Sequence, residues 1–377
     1  MTVLSFRTVA SPIVASIAFV MELTLVPLLL PSIQSNYGLT IGAIAWFFNS
    51  YGIAVALGVI IGGWVGDFFG ARKIFGVGVL MFALGGIIVF GGEQFEALVF
   101  GRVLQGFGGG LFSPVVPVLV AKAMPRQPGK ILIIWGSVTG YAAAFAPLAA
   151  SWLIAIIGWQ SVFLFFAVLA GAAFLLFVRS TETQPEPNLR SRPNLRLLLQ
   201  ARSLWLVFGY VFCTYGTITL YLFRLPLRLA ENNSGAETIG IVLAAIWFSF
   251  SVVSTLLRNL VDGIHLRKIV LAAPLLIATS FLLAYLSSAT VLLVLSAISL
   301  GAGFACSNAP STQLVLKFAP KGLSAISTSL DITFARLGGV ATVALLAQLG
   351  FGQSLVVVLS LSIVASICAY ACLGKMR

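Results

Sequence analysis

Four ionisable residues interrupt apolar stretches of this 377-residue sequence: Glu22, Arg102, Asp331 and Arg336. An ionised side chain at the centre of a bilayer costs about 2.5–3.5 kcal/mol on insertion scales, so such groups pair, line a wet cavity or do work. Two acids and two bases sum to zero, and protonating either acid leaves a shared cavity positive. That chemistry suits a proton-linked binding site, with Glu22 and Asp331 as proton-coupling residues and Arg102 and Arg336 as their charge partners in the membrane. Glu22 lies about ten residues from either end of its apolar run, roughly 15 Å deep at the helical rise. Desolvation and a nearby arginine act on a carboxylate in opposite senses, which favours a group that exchanges protons. Arg102 sits nearer the outer end of its own run, with an axial offset of roughly 9 Å that two long side chains can span. Asp331 and Arg336 are five positions apart, about 140° around a helix, and are not expected to pair with each other.

The elements that must hold these residues follow from composition. Charged residues are 8% and hydrophobic residues 60% of the chain, against about 25% charged in a soluble domain. A span needs roughly 20 mostly apolar residues. Twelve runs qualify: 12–31, 41–62, 74–92, 97–121, 131–157, 158–178, 203–223, 238–257, 269–286, 289–316, 322–346 and 349–373. The first is expected to stay as a span rather than be cleaved as a signal. The net charge of +12 reads as orientation and not as nucleic-acid binding. With both termini inside, 18 of the 22 lysines and arginines fall on the cytoplasmic side, only Arg224 and Arg228 fall outside, and Arg102 and Arg336 lie within spans. A multi-pass protein of the cytoplasmic membrane is the result.

Other chemistries find little support. Cys213, Cys306, Cys368 and Cys372 all lie in apolar runs and read as thiols packing as small hydrophobes. No metal-ligand spacing, nucleophile beside a base, or phosphate-binding glycine loop joined to a nucleotide domain occurs, so no metal, cofactor or enzymatic activity is expected. His265, the one histidine, falls in an inner loop and reads as a solvated residue.

The polar stretch 179–202, with Pro185, Pro187, Pro193 and five arginines, divides the spans six and six. The expected units are therefore 1–178, a cytoplasmic linker at 179–202, and 203–377. Shifting the sequence by 195 places Asp67, Arg72 and Lys73 on Asp262, Arg267 and Lys268, Pro31 on Pro226, and Gly106 and Gly108 on Gly301 and Gly303. Parallel repeats of this kind hold substrate at the midplane between them. Pro31 and Pro226 are expected to end their spans. Polar and aromatic residues facing such a pathway would be Asn49, Tyr51, Ser113, Tyr215 and Asn308. Trp46, Phe47, Tyr221, Trp247 and Phe248 read either as lining or as packing.

Between the second and third runs stands Gly63-Trp64-Val65-Gly66-Asp67-Phe68-Phe69-Gly70-Ala71-Arg72-Lys73. Its pattern G-x-x-x-D-x-x-G-x-R-K resembles the signature loop of the major facilitator superfamily, which holds the cytoplasmic side shut while the transporter faces outward. The resemblance implies gating roles for Gly63, Asp67, Gly70, Arg72 and Lys73, and for Asp262, Arg267 and Lys268 in the second, degraded copy. Glu22 with Thr24 and Pro31 resembles the first-helix motif of drug:proton antiporters, with Glu where Asp is usual. Arg102, Gln105 and Gly106 resemble the fourth-helix motif. Gly136, Gly140 and Pro147 resemble the antiporter motif of the fifth, although Ala146 and Ala150 replace expected glycines. Gly322 through Ala341 resembles a late helix of the fourteen-helix multidrug branch.

What the resemblance implies is an all-α membrane protein with twelve spans in two pseudo-symmetric six-helix bundles. Its expected function is proton-coupled efflux of a hydrophobic or amphipathic small molecule by alternating access, carried out by a monomer. The alternative is proton-coupled uptake of a small polar solute. The partners are then the substrate, protons and the lipid bilayer.

Overall fold

The computed structural model describes residues 3–123, 128–179, 196–257, 265–287, 289–321 and 323–374; side chains at 3–8, 64, 67, 68, 123, 128–130, 133 and 325 are outside that description. With no water in the hydrocarbon layer, backbone groups must be satisfied within each segment, and the described chain is accordingly helical. The helices are α1 (Val3–Tyr37), α2 (Ile41–Phe69), α3 (Ala71–Gly91), α4 (Phe95–Phe112), α5 (Val116–Ala123), α6 (Pro128–Ile157) and α7 (Gln160–Val178). They continue as α8 (Arg196–Gln200), α9 (Arg202–Glu231), α10 (Ala236–Leu257), α11 (Leu266–Leu286), α12 (Thr290–Phe318), α13 (Ser324–Leu346) and α14 (Phe351–Leu373).

Among the described residues eleven helices are long and apolar enough to cross a membrane, and α4 with α5 supplies a twelfth, bent by 41°. The bend lies where Pro114 and Pro117 cannot donate to the helical ladder. There the Val115 amide tightens onto the Phe112 carbonyl at 3.1 Å. Pro31 and Pro226 do not end their spans as expected. Both sit inside helices that run on to Tyr37 and Glu231. Each proline removes one amide donor, and packing against neighbouring helices sustains the continuation.

The two sets of six pack alike. In the first, α4 packs on α2 and α3, and α7 on α1 and α3; in the second, α12 packs on α10 and α11, and α14 on α9 and α11. The 195-residue offset holds for individual contacts. A Cβ on Gly106 would meet the Tyr51 carbonyl, and one on Gly301 the Ile246 carbonyl. Gly108 lies against Gly78 and Phe82, and Gly303 against Ala273 and Ile277. In all four cases the two partners move together by the same offset, so the glycines are where backbones of neighbouring helices touch.

Between the sets, α2 packs on α13 and α6 on α10, a symmetric exchange, with α1 touching α9. Twelve spans return the chain to the membrane face where it began, here called the terminal face. One apolar core runs through the first set and the far half of the second, including Ile218–Leu229 and Val343–Ala347. A separate core fills the terminal half of the second set, around Phe208, Val270, Val315 and Ala369.

Candidate functional site

Glu22 rises from the middle of α1 and Arg102 from α4, and the two form a salt bridge with each side chain only 1% exposed. Arg102 also donates to the Gln105 Oε1 at 2.9 Å, one turn along its own helix. Its guanidinium carbon lies 4.2 Å from the Tyr51 ring centroid, 5.3 Å from Phe47 and 5.8 Å from Phe163. A buried pair is tolerable only when further groups satisfy its charges, and here aromatic faces and an amide do so in part on the arginine side. Among the described residues Arg102 Nε and Glu22 Oε2 are both buried without a hydrogen-bond partner. Gly106 permits this closeness by bringing α4 onto the Tyr51 backbone.

Asp331 and Arg336 project from α13. Asp331 is 6% exposed; its Oδ2 accepts from the Thr312 hydroxyl at 3.3 Å, and its Oδ1 is buried without a partner. Arg336 approaches the Phe19 ring at 5.9 Å. Among the described residues these two charges form no ion pair with each other, as their spacing on the helix predicts, nor with any other side chain. On α9, the Tyr215 hydroxyl donates to Asn308 Oδ1 at 2.7 Å, one turn from Thr312 on α12.

All four charged residues line one cavity of about 440 Å³ between the two sets of helices, within the range of small-molecule sites. Asn49, Tyr51, Ser113, Tyr215 and Asn308 line it as well. Asn49 also ties the sets together, donating to the Val340 carbonyl at 3.1 Å. Much of the remaining wall is apolar, including Phe19, Leu23, Val26, Phe48, Leu222 and Phe304. Of the aromatic residues left open between lining and packing, Trp247 joins the wall. Phe47 and Tyr221 are buried core, and Trp46 and Phe248 face outward. Sequence alone gave no handle on Phe19, Trp135, Phe304 or Thr312, since an aromatic or hydroxyl residue in an apolar helix has no marked face until its neighbours are placed.

The remaining motif residues lie elsewhere. Gly140 faces Ser251, and the Pro147 carbonyl faces Gly240, both on the α6–α10 seam, whereas a Cβ on Gly136 would meet nothing within 4 Å. Gly63 lies against Ser329 on the α2–α13 seam. Gly70, at φ 87°, is the single residue joining α2 to α3, a backbone conformation that favours glycine. Arg72 donates to the Phe177 carbonyl at 3.1 Å, near the C-terminus of α7. Its counterpart Arg267 lies 5.2 Å from the Tyr370 ring of α14, while Lys73, Lys268 and His265 are exposed. The Asp67 side chain and the whole of Asp262 lie outside the described residues. Arg224 donates to the Ala347 and Leu349 carbonyls, and Arg228 to the Ala284 carbonyl. Both therefore serve the far ends of neighbouring helices, where a cation offsets the helix dipole.

Comparison with known proteins places this architecture. Two curated relatives are a multidrug resistance protein B homolog of Mycobacterium tuberculosis and a tetracenomycin C resistance and export protein of Streptomyces glaucescens. The first is 31% identical over 159 residues, covering 42% of this chain and 29% of the relative. The second is 30% identical over 284 residues, covering 74% of this chain and 47% of the relative. The chain thus spans less than half the length of these relatives. Among solved structures, a D-xylose-proton symporter superposes with a TM-score of 0.78 over 99% of this chain and 97% of its own, at 14% identity, a likeness of fold alone. The family model described as Major Facilitator Superfamily matches residues 13–343. With that match across most of its length, the chain belongs to the major facilitator superfamily, a family of membrane transporters.

Proposed function

We propose that this transporter exports a hydrophobic or amphipathic small molecule in exchange for protons. The observation that carries the reading is the buried Glu22–Arg102 pair in the wall of a largely apolar cavity between the two sets of helices. Protonating Glu22 removes the charge that Arg102 faces and leaves the cavity positive, so proton and substrate can favour different states. Asp331 is a second, lesser coupling site. The bundles 1–178 and 203–377 rock about the α2–α13 and α6–α10 seams, and the two acid-base loops, at 63–73 and, with Arg258 and His265 in place of the glycines, at 258–268, form the inner gate. Both termini and the linker at 179–202 face the cytoplasm, and a single chain suffices. The names of the two relatives, which speak of drug resistance and export, favour efflux over uptake of a polar solute.

The test is transport of a substrate panel by the purified chain in proteoliposomes under an imposed pH gradient. Export predicts accumulation of an amphipathic compound against its gradient with counterflow of protons. Accumulation of a polar solute together with protons would establish uptake instead. Labelling of a cysteine placed in the linker by an impermeant thiol reagent outside intact cells would overturn the orientation.

A further inference from the structure

The charges in the two bundles are arranged unequally. The first bundle's acid and base face each other and cancel. In the second, the acid and the base stand on one helix, line the same cavity and leave each other unpaired. Counterparts at the 195-residue offset do not exist either, since Thr217 and Ala297 occupy the positions equivalent to Glu22 and Arg102. Gly136 and Tyr141 likewise stand at the positions equivalent to Asp331 and Arg336, so the repeat explains neither pair, and among the described residues the second forms no ion pair.

We propose that Asp331 and Arg336 form a recognition site for a zwitterionic amphipath, the substrate's cation meeting Asp331 and its anion meeting Arg336. This deepens the export reading and rests on it. Asp331 presents a buried carboxylate oxygen that nothing satisfies. Its other oxygen lies 3.3 Å from the Thr312 hydroxyl, which it shares with the Asn308 carbonyl at 3.2 Å. Arg336 is only partly buried and reaches into the cavity beside Phe19. Five residues of helix separate the two along the axis by roughly 7.5 Å, a span that suits a ligand bearing both charges on one rigid frame. An isolated charge in a low-dielectric cavity is costly, and a ligand that brings both counter-charges relieves both sites at once. A purely cationic ligand leaves Arg336 unmatched, and an anionic one leaves Asp331 unmatched. The aromatic wall, with Tyr215, Trp247 and Phe304 in mutual contact or close by, suits the apolar body of such a ligand.

Three dyes on one xanthene frame separate these cases: rhodamine B, which carries a cation and a carboxylate; its ethyl ester, which keeps only the cation; and fluorescein, which has oxygens in place of the alkylated amines and keeps only anionic charge. Binding is read by fluorescence polarisation on the intact chain in lipid nanodiscs. The expected result is that rhodamine B binds at least tenfold tighter than either relative. Arg336→Gln should abolish its advantage over the ester, and Asp331→Asn its advantage over fluorescein. Thr333→Ala, a buried change on the same helix but off the cavity wall, should leave the order intact and serves as the control for folding. Equal affinities, no binding of any dye, or a rhodamine-to-ester ratio unmoved by Arg336→Gln would each overturn the site. Because this is an equilibrium measurement without a gradient, its failure is distinct from a failure of proton-coupled export in the proteoliposome experiment.

Discussion

Glu22 and Arg102 illustrate how far one buried pair constrains what substitutions do. Glu22→Gln keeps an oxygen that can accept from Arg102, while the Tyr51 and Phe47 rings and Gln105 remain in place. We therefore expect Glu22→Gln to fold and bind, yet to lose uphill transport and substrate-induced proton release, whereas Asp331→Asn reduces coupling less. Substrate-induced proton release at saturating substrate that survives Glu22→Gln and is lost in Asp331→Asn would reverse the two roles. Removing the base instead leaves a carboxylate stranded. Arg102→Leu should lower stability by about 3–5 kcal/mol, as for other broken buried pairs. Adding Glu22→Leu should recover part of that loss, since residues in direct contact are not additive. Unfolding of the purified variants in detergent measures both, and strictly additive losses would show the pair to be energetically idle.

At the scale of the helices, glycine marks where backbones meet, and the marks differ in consequence. On Gly106 an added methyl would lie 2.5 Å from the Tyr51 carbonyl, so Gly106→Ala must push α4 off α2. Gly301→Ala does the same between α12 and α10. Each should cost about 1–3 kcal/mol, the usual range for overpacking, and Gly106→Ala should also impair transport by moving Arg102. Gly136→Ala, with open space around it, should be neutral within about 0.5 kcal/mol. Thermal unfolding of the three variants checks the ranking, and equal effects would mean that the glycines act through the unfolded chain. The same reasoning explains why proline misled the sequence reading at Pro31 and Pro226. Its local penalty is a single lost donor, and whether a helix stops there depends on the neighbours that surround it.

For the whole molecule the decisive feature is contact between bundles, which the proposed rocking has to break. A Cβ on Gly63 would lie 3.9 Å from that of Ser329, inside the Cβ separation of disulfides. Oxidising Gly63→Cys with Ser329→Cys should therefore join α2 to α13 and stop turnover, and reductant should restore it. Undiminished transport by a fully cross-linked sample would mean that this seam does not open during the cycle.

The class of this protein was decided by its sequence alone. Long uncharged runs admit only helices in lipid, basic residues concentrate on one side, and the 195-residue repeat announces two equivalent halves. The depth of Glu22 and the charge of Arg102, Asp331 and Arg336 were likewise legible, because charge in an apolar run is conspicuous whatever its neighbours. That Arg102 could reach Glu22, and that Asp331 and Arg336 would not pair with each other, was legible from helical rise and spacing; the contacts that complete or leave open each charge were not. Helix rotation and packing decide those, and they bring Glu22 onto Arg102 while leaving Asp331 and Arg336 with open coordination. The cavity wall is tertiary in the same sense. Phe19, Trp135 and Phe304 resemble any other aromatic in an apolar helix until the two bundles meet and enclose them between charges that the sequence had already picked out.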